Sequence, residues 1–211
     1  MEVCRLAKIA IVYYSSTGHH YALGKAIEEG ARAEGAETRL RKVRELAPDA
    51  AIDSRPGWRE NLEATSHVEE AALADLEWAD GFVFGTPTRF GLPSAQLKQF
   101  LDQTGGLWAQ GKLQDKPVSM FCGAGNPHGG QEATLLTLAT VFYHWGSVIV
   151  PTGYTDPSLK PAGGNPYGVS FTASKDGLPA EAAEAGRYLG RRIARFAEAL
   201  AAARERIQGR G

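Results

Sequence analysis

Ala7-Lys8-Ile9-Ala10-Ile11-Val12-Tyr13-Tyr14 runs directly into Ser15-Ser16-Thr17-Gly18-His19-His20, and Tyr21 to Glu34 follows with Ala22, Ala26, Ile27 and Ala31 at helical spacing. A short apolar run, a turn of hydroxyls and glycine, and then a 3.6-residue periodicity predict a buried strand, a tight connection and a helix. That unit builds parallel sheets covered by helices on both faces.

Working outward, the same alternation persists to the end of the chain. Glu37 to Val43, charged at alternate positions, reads as a half-exposed second strand. Glu45 to Ser66 holds Pro48, Pro56, Gly57 and Trp58 without periodicity and is expected to be a long surface loop. A short helix is expected near Val68 to Asp75, a buried strand over Gly81 to Gly85, a helix over Ser94 to Gln103, and a fourth strand over Lys116 to Cys122. Gln131 to Trp145 then reads as a helix and Ser147 to Val150 as a fifth strand. Pro151 to Asp176 is rich in Gly and Pro and is expected to be irregular. A final helix carries Leu189, Ile193, Phe196, Leu200 and Ile207 on one stripe. The reading is an α/β three-layer sandwich over residues 1–211, a single domain whose five parallel strands take the flavodoxin-like order 2-1-3-4-5.

Composition bounds the function. With 211 residues, 43% hydrophobic against 22% charged, the chain can bury a sizeable core. A net charge of −1 supplies no global field to attract nucleic acid or anionic lipid. Cys4 and Cys122 lie far apart without a C-x-x-C pairing, which fits a reducing, cytoplasmic setting and neither a disulfide framework nor a cysteine metal site. No stretch approaches the roughly 20 apolar residues of a membrane span. His19, His20, His67 and His128 have no ligand spacing, so no metal is assigned.

In an open parallel sheet, ligands bind beyond the carboxyl ends of the strands. Three loops are expected there: Ser15 to His20, Thr86-Pro87-Thr88-Arg89-Phe90-Gly91, and Gly123-Ala124-Gly125-Asn126-Pro127-His128-Gly129-Gly130. The first puts hydroxyls at a helix start, where unpaired N–H groups and the helix dipole favour an anion. It lacks both G-x-x-x-x-G-K-[ST] and G-x-G-x-x-G, so a single terminal phosphate, as in FMN, suits it better than a triphosphate or a dinucleotide. Ser15 to Thr17 read equally as plain helix caps. The glycines of the other loops allow close backbone approach to a planar heterocycle, and Phe90 can flank a ring.

The run Phe84 to Gly91, followed by Phe100-Leu101-Asp102-Gln103-Thr104-Gly105-Gly106-Leu107-Trp108, resembles the WrbA-type NAD(P)H:quinone oxidoreductases. Gly129-Gly130-Gln131-Glu132, His144, Val148 to Pro151 and Asn165-Pro166-Tyr167-Gly168 continue the likeness in order. The resemblance implies an FMN-dependent homotetramer that takes a hydride from NADH or NADPH and reduces quinones by a ping-pong route. It also implies cofactor contacts at Ser15, Ser16, Thr17, Gly18, His19 and His20, at Pro87, Thr88, Arg89, Phe90 and Gly91, and at Gly123, Ala124, Gly125, Asn126, His128 and Gly129. His144 corresponds to a flavin-proximal histidine and Trp108 to an aromatic of the substrate pocket, the two expected catalytic side chains. Thr17 stands where many members have the tyrosine beside the nicotinamide.

Two other readings compete with this one. A flavodoxin-type electron carrier would ordinarily have a strongly acidic docking face, which this near-neutral chain lacks. Arg187, Arg191, Arg192, Arg195, Arg204 and Arg206 on the last helix alternate with Glu181, Glu184, Glu198 and Glu205, which reads as a solvated or intersubunit face rather than a nucleic-acid surface.

Overall fold

The computed structural model describes residues 6–208. Those residues form six strands and eight α-helices: β1 (Lys8–Tyr13), α1 (His19–Ala33), β2 (Glu37–Lys42), α2 (Asp49–Asp53), α3 (Trp58–Ala64), α4 (Leu73–Trp78), β3 (Gly81–Pro87), α5 (Ala95–Asp102), α6 (Gly105–Ala109), β4 (Pro117–Ala124), α7 (Gln131–Trp145), β5 (Val148–Ile149), β6 (Val169–Thr172) and α8 (Ala180–Gln208). The strand order is β2-β1-β3-β4-β5, all pairs parallel, with β6 also on β4. The expected 2-1-3-4-5 order therefore holds, but its fifth place is shared: β5 pairs with Pro117 and Val118, and β6 with Phe121 to Ala124.

Strand side chains alternate between two cores, because successive residues point to opposite faces. Ile9, Ile11, Tyr13, Val83 and Phe121 pack beneath α1 and α8. Ala10, Val12, Phe82, Phe84, Val118 and Met120 pack beneath α4, α5 and α7. Coverage on both faces explains why these strands read as continuous apolar runs. Helices α1 and α8 approach so closely that a Cβ on Gly190 would lie 2.0 Å from the Ile27 carbonyl oxygen, and one on Gly30 2.0 Å from that of Arg187.

Four expectations are corrected. The segment 45–66 contains α2 and α3, each too short for a periodicity to register; Gly57, at φ 81°, takes the left-handed turn between them. The helix expected near 68–75 begins only at Leu73, because the Asp75 carboxylate accepts from Ala72 N at 3.0 Å and caps it there, while Glu70 bridges to Lys42 in extended form. Pro151 to Asp176 hides β6, whose Val169 and Phe171 face the α1/α8 core. On α8 the buried stripe is Ala182, Ala185, Leu189, Ile193, Ala194, Ala197 and Ala201, whereas Phe196 lies outside it under the Arg192 guanidinium.

Arginines of α8 are spent within the chain: Arg187 on Glu29 at 3.0 Å, Arg195 on Glu34 at 2.6 Å, Arg204 on Asp80 at 3.4 Å. Cys4 and the side chains of Glu205, Arg206 and Ile207 lie outside the described residues.

Candidate functional site

The loops that follow β1, β3 and β4 meet at one crevice, lined by Ser16, Thr17, His19, His20, Arg55, Pro87, Thr88, Arg89, Gly123, Ala124, Gly125, Phe171 and Ala173. Parallel strands in this order bring their carboxyl ends together, so these residues meet by topology rather than by sequence proximity.

The phosphate-loop geometry is built locally. Gly18 adopts φ 89° as the residue before α1, and its N–H donates to Ser15 Oγ at 3.0 Å, closing the turn. Helix α1 has no side-chain cap and no acidic residue in its first turn, which leaves its first N–H groups without an N-cap side-chain acceptor beside the crevice residues Thr17, His19 and His20. Asn61 of α3 donates Nδ2 to Ser15 O at 2.9 Å and braces the loop from behind. Thr17 Oγ1 lies 3.3 Å from His19 Nδ1.

His20 is buried between the rings of Phe171, 5.0 Å away, and Phe121, 6.3 Å away, and its Nε2 has no hydrogen-bond partner. Burial, reinforced by His19 and Arg89, pulls its pKa down to about 3, so the ring is neutral at physiological pH. Arg89 also sits below its ordinary value: burial does most of this and the charge of Arg55 adds to it, with Tyr14 and Glu45 opposing.

The loop after β3 is a narrow turn. Arg89 and Leu92 exchange backbone hydrogen bonds at 2.8 and 3.0 Å, and Gly91 N donates to Thr88 Oγ1 at 3.2 Å. Phe90, at φ 54°, is carried at the tip and is fully exposed. A non-glycine residue in the left-handed region costs conformational energy, so this exposure is enforced by the fold. Thr134 of α7 donates to Thr88 Oγ1 at 2.8 Å and locks the helix start to the turn. Gly123 is required by close approach: a Cβ there would lie 2.3 Å from the Phe171 ring.

This donor set fits a flavin mononucleotide phosphate. At the start of α1 it offers an uncapped helix end, hydroxyls and an unpartnered buried imidazole; Arg55 and Arg89 also line the crevice, and no carboxylate does. The enclosed volume is about 90 Å³, well under the roughly 300 Å³ at which small-molecule pockets begin. A flavin would therefore extend beyond the enclosed part onto the open rim where Phe90 stands. A larger cavity of about 490 Å³ lies between the start of α7 and Ala162 to Asn165; it shares Phe171 with the crevice but takes no residue from the loops after β1 or β3.

Of the expected cofactor residues, Ser16, Thr17, His19, His20, Pro87, Thr88, Arg89, Gly123, Ala124 and Gly125 line the crevice. Ser15 and Gly18 form its turn, while Phe90 and Gly91 follow Arg89 on the β3 turn outside its lining. Asn126 and Gly129 close the β4 loop through a 3.2 Å backbone bond, and His128 lines the larger cavity instead. His144 and Trp108 are brought together, Trp108 Nε1 donating to His144 O at 2.8 Å, but at the opposite edge of the sheet. There Gly146 O accepts from Asp115 N beside the start of β4, about 20 Å along α7 from Gln131 at 1.5 Å per residue. Within one chain they cannot enter the crevice, because a helix that begins at the carboxyl edge of a parallel sheet ends at the amino edge.

Sequence reasoning missed Arg55, Phe171, Glu45 and Asn61. Glu45 accepts from Tyr14 Oη at 2.8 Å, Trp58 Nε1 at 3.0 Å, Gln96 Nε2 at 2.8 Å and the Leu46 and Ala47 amides at 2.9 Å each. Burial pushes its carboxyl up, yet the bonds from Ala47, Gln96, Tyr14 and Trp58 outweigh this and hold it below the usual range. The network half-buries Trp58, which therefore needs no second chain to cover it. Among the described residues no group of three His, Cys, Asp or Glu side chains is placed to hold a metal. No described helix is long and apolar enough to cross a membrane.

Residues 7–156 match the family described as NADPH-dependent FMN reductase. The chain is 52% identical over 167 residues to a Deinococcus radiodurans protein named NAD(P)H dehydrogenase (quinone), covering 79% of this chain and 84% of that one. It is 41% identical over 212 residues to NAD(P)H dehydrogenase (quinone) 3 of Rhizobium meliloti, covering 96% and 98%. Its fold is similar to a solved WrbA-like flavodoxin from Agrobacterium tumefaciens, with a TM-score of 0.64 at 26% identity over 92% of this chain and 98% of that one.

Proposed function

The chain belongs to the family of NADPH-dependent FMN reductases, and from that premise we propose that it carries a hydride from NADH or NADPH to a quinone. It is an NAD(P)H-dependent flavoprotein oxidoreductase with FMN as cofactor. The quinone as acceptor is supported by the names of relatives that the chain resembles over nearly its full length. The observation that carries the reading is the crevice itself: three strand-end loops converge on one anion-seeking cleft free of carboxylates.

Bound FMN would supply hydride acceptance at N5 and delivery to the second substrate in a ping-pong cycle. The protein residues do the rest. The α1 start, with Ser16, Thr17 and neutral His20, holds the phosphate. Gly123 to Gly125 admit the cofactor close to the backbone, where N–H groups can stabilise negative charge. Phe90 would flank the ring at the rim.

His144 and Trp108 join this scheme only if a second copy presents its amino-edge face to the rim, with His144 as the proton donor to a quinone oxygen and Trp108 as a wall of the substrate pocket. A homotetramer would provide this. It is supported by the exposed apolar groups that a monomer leaves bare: Phe90, Trp108, Leu136 and Tyr143. A cytoplasmic setting accords with the buried free thiol of Cys122, whose pKa burial pushes up to about 12.

The test is spectroscopic. Purified protein with FMN should bleach on anaerobic addition of NADH or NADPH and recover on addition of a quinone. Failure to bind FMN at micromolar concentration would remove the assignment, and bleaching without catalytic quinone turnover would favour an electron carrier.

A further inference from the structure

The crevice holds more positive charge than one cofactor phosphate uses. Arg55 stands at its mouth, on the turn where α2 gives way to α3: its N–H donates to Ile52 O at 3.3 Å and its carbonyl accepts from Trp58 N at 3.3 Å. Gly57, two residues on, packs toward Thr17, so that turn rests against the phosphate loop.

Nearby carboxylates are already committed. Asp49 and Asp53 are both taken by Arg59, at 2.7 and 2.8 Å. Glu45 receives donors from five other groups and has no bond to either crevice guanidinium. Arg89 donates Nη1 to its own neighbour's carbonyl, Thr88 O, at 3.1 Å, and lines the cleft. Two guanidiniums thus line a cleft that no carboxylate lines. Burial and then the Arg55 charge lower the pKa of Arg89, and Tyr14 and Glu45 oppose this without a hydrogen bond to either guanidinium. An anion seated between them would add a counter-charge within the cleft and meet planar forks suited to phosphate oxygens.

We propose that Arg55 and Arg89 form a second phosphate subsite, apart from the α1 start, which holds a phosphate of the pyridine nucleotide that delivers the hydride. This rests on the reductase reading above. The chemistry has two sources: the pyrophosphate, common to NADH and NADPH, or the 2′-phosphate of NADPH alone. Arg55 is then a binding residue for the donor, and its exposed side chain can be altered without touching the backbone turn.

The experiment uses full-length protein loaded with FMN. Arg55→Ala and Arg55→Glu are compared with wild type for KM of NADH and of NADPH at saturating quinone, for FMN affinity by fluorescence, and for binding of ADP and 2′,5′-ADP by calorimetry. Loss of a charge-assisted contact is expected to raise KM on the order of tenfold in Arg55→Ala, further in Arg55→Glu, and less in Arg55→Lys. A rise for both nucleotides, with weakened ADP binding, supports the subsite with the pyrophosphate as source. A rise for NADPH alone, with weakened 2′,5′-ADP binding, supports it with the 2′-phosphate. Unchanged KM for both nucleotides overturns it, as does an effect on FMN affinity alone, which would return Arg55 to the flavin site. The calorimetric arm reads phosphate binding whether or not quinone is turned over, so failure of the reductase reading is seen separately.

Discussion

The Tyr14 hydroxyl donates to Glu45 Oε2 at 2.8 Å, joining the last residue before the phosphate loop to the first residues of the 45–66 segment. Because Trp58, Gln96 and two backbone amides share that carboxylate, one side chain fixes the crevice wall on which Arg55 stands. Glu45→Ala should destabilise the protein by about 1–3 kcal/mol, the cost of stranding partly buried donors, and should weaken FMN binding. Urea unfolding and FMN titration measure both. The sign of the pH effect follows from the lowered carboxyl: its stabilisation is complete above the ordinary glutamate value of 4.5 and disappears as pH falls through its lower folded value. A Glu45→Ala protein whose acid profile matched wild type would sink the idea.

His20 predicts a second, separate pH effect. Its folded pKa of about 3 lies below the unfolded 6.5, so the unfolded chain binds one more proton in that window. Stability should be full above pH 6.5 and fall as pH drops toward 3, with a slope approaching one proton. His20→Gln should flatten the part of the curve between pH 6.5 and 5, where carboxylates contribute least. Equal slopes in the two proteins would mean the ring is not buried neutral.

His144→Ala should slow flavin oxidation by quinone more than flavin reduction by NAD(P)H in stopped flow, and Trp108→Ala should raise the quinone KM. Because both groups sit at the amino edge, mixed oligomers of His144→Ala with a crevice variant such as Arg89→Ala should recover part of the lost activity. Wild-type rates in both half-reactions would take His144 out of the chemistry.

Gly190→Ala should cost about 1–3 kcal/mol, as overpacking against an immobile group does, since its Cβ would lie 2.0 Å from the Ile27 carbonyl oxygen. A lower urea midpoint with an unchanged m-value is the expected signature. Retention of the wild-type midpoint would show that α1 and α8 can slide apart freely.

Strand order and helix placement were legible because both faces of the sheet are covered, which makes strands such as Ile9 to Val12 and Phe82 to Phe84 uniformly apolar and easy to separate from amphipathic helices. The crevice residues were legible because carboxyl-edge loops are fixed by topology. Arg55 was not, since its turn joins helices of five and seven residues that complete too few turns to leave a pattern. Phe171 was hidden for another reason: β6 has four residues set among glycines and prolines, and only its pairing with β4 makes it a strand. The remoteness of His144 from the crevice could have been deduced from the direction of α7 alone.

The divided outer column of the sheet has a consequence for how this chain tolerates change. Val148–Ile149 and Val169–Thr172 hydrogen-bond to different stretches of β4, so neither depends on the other for its register. The span joining them is expected to accept a cut at Gly163-Gly164, where an added Cβ meets nothing within 4 Å, while both ends stay anchored. A cut there should yield two fragments that reassemble by strand complementation, the second bringing Phe171 back to the floor of the cleft.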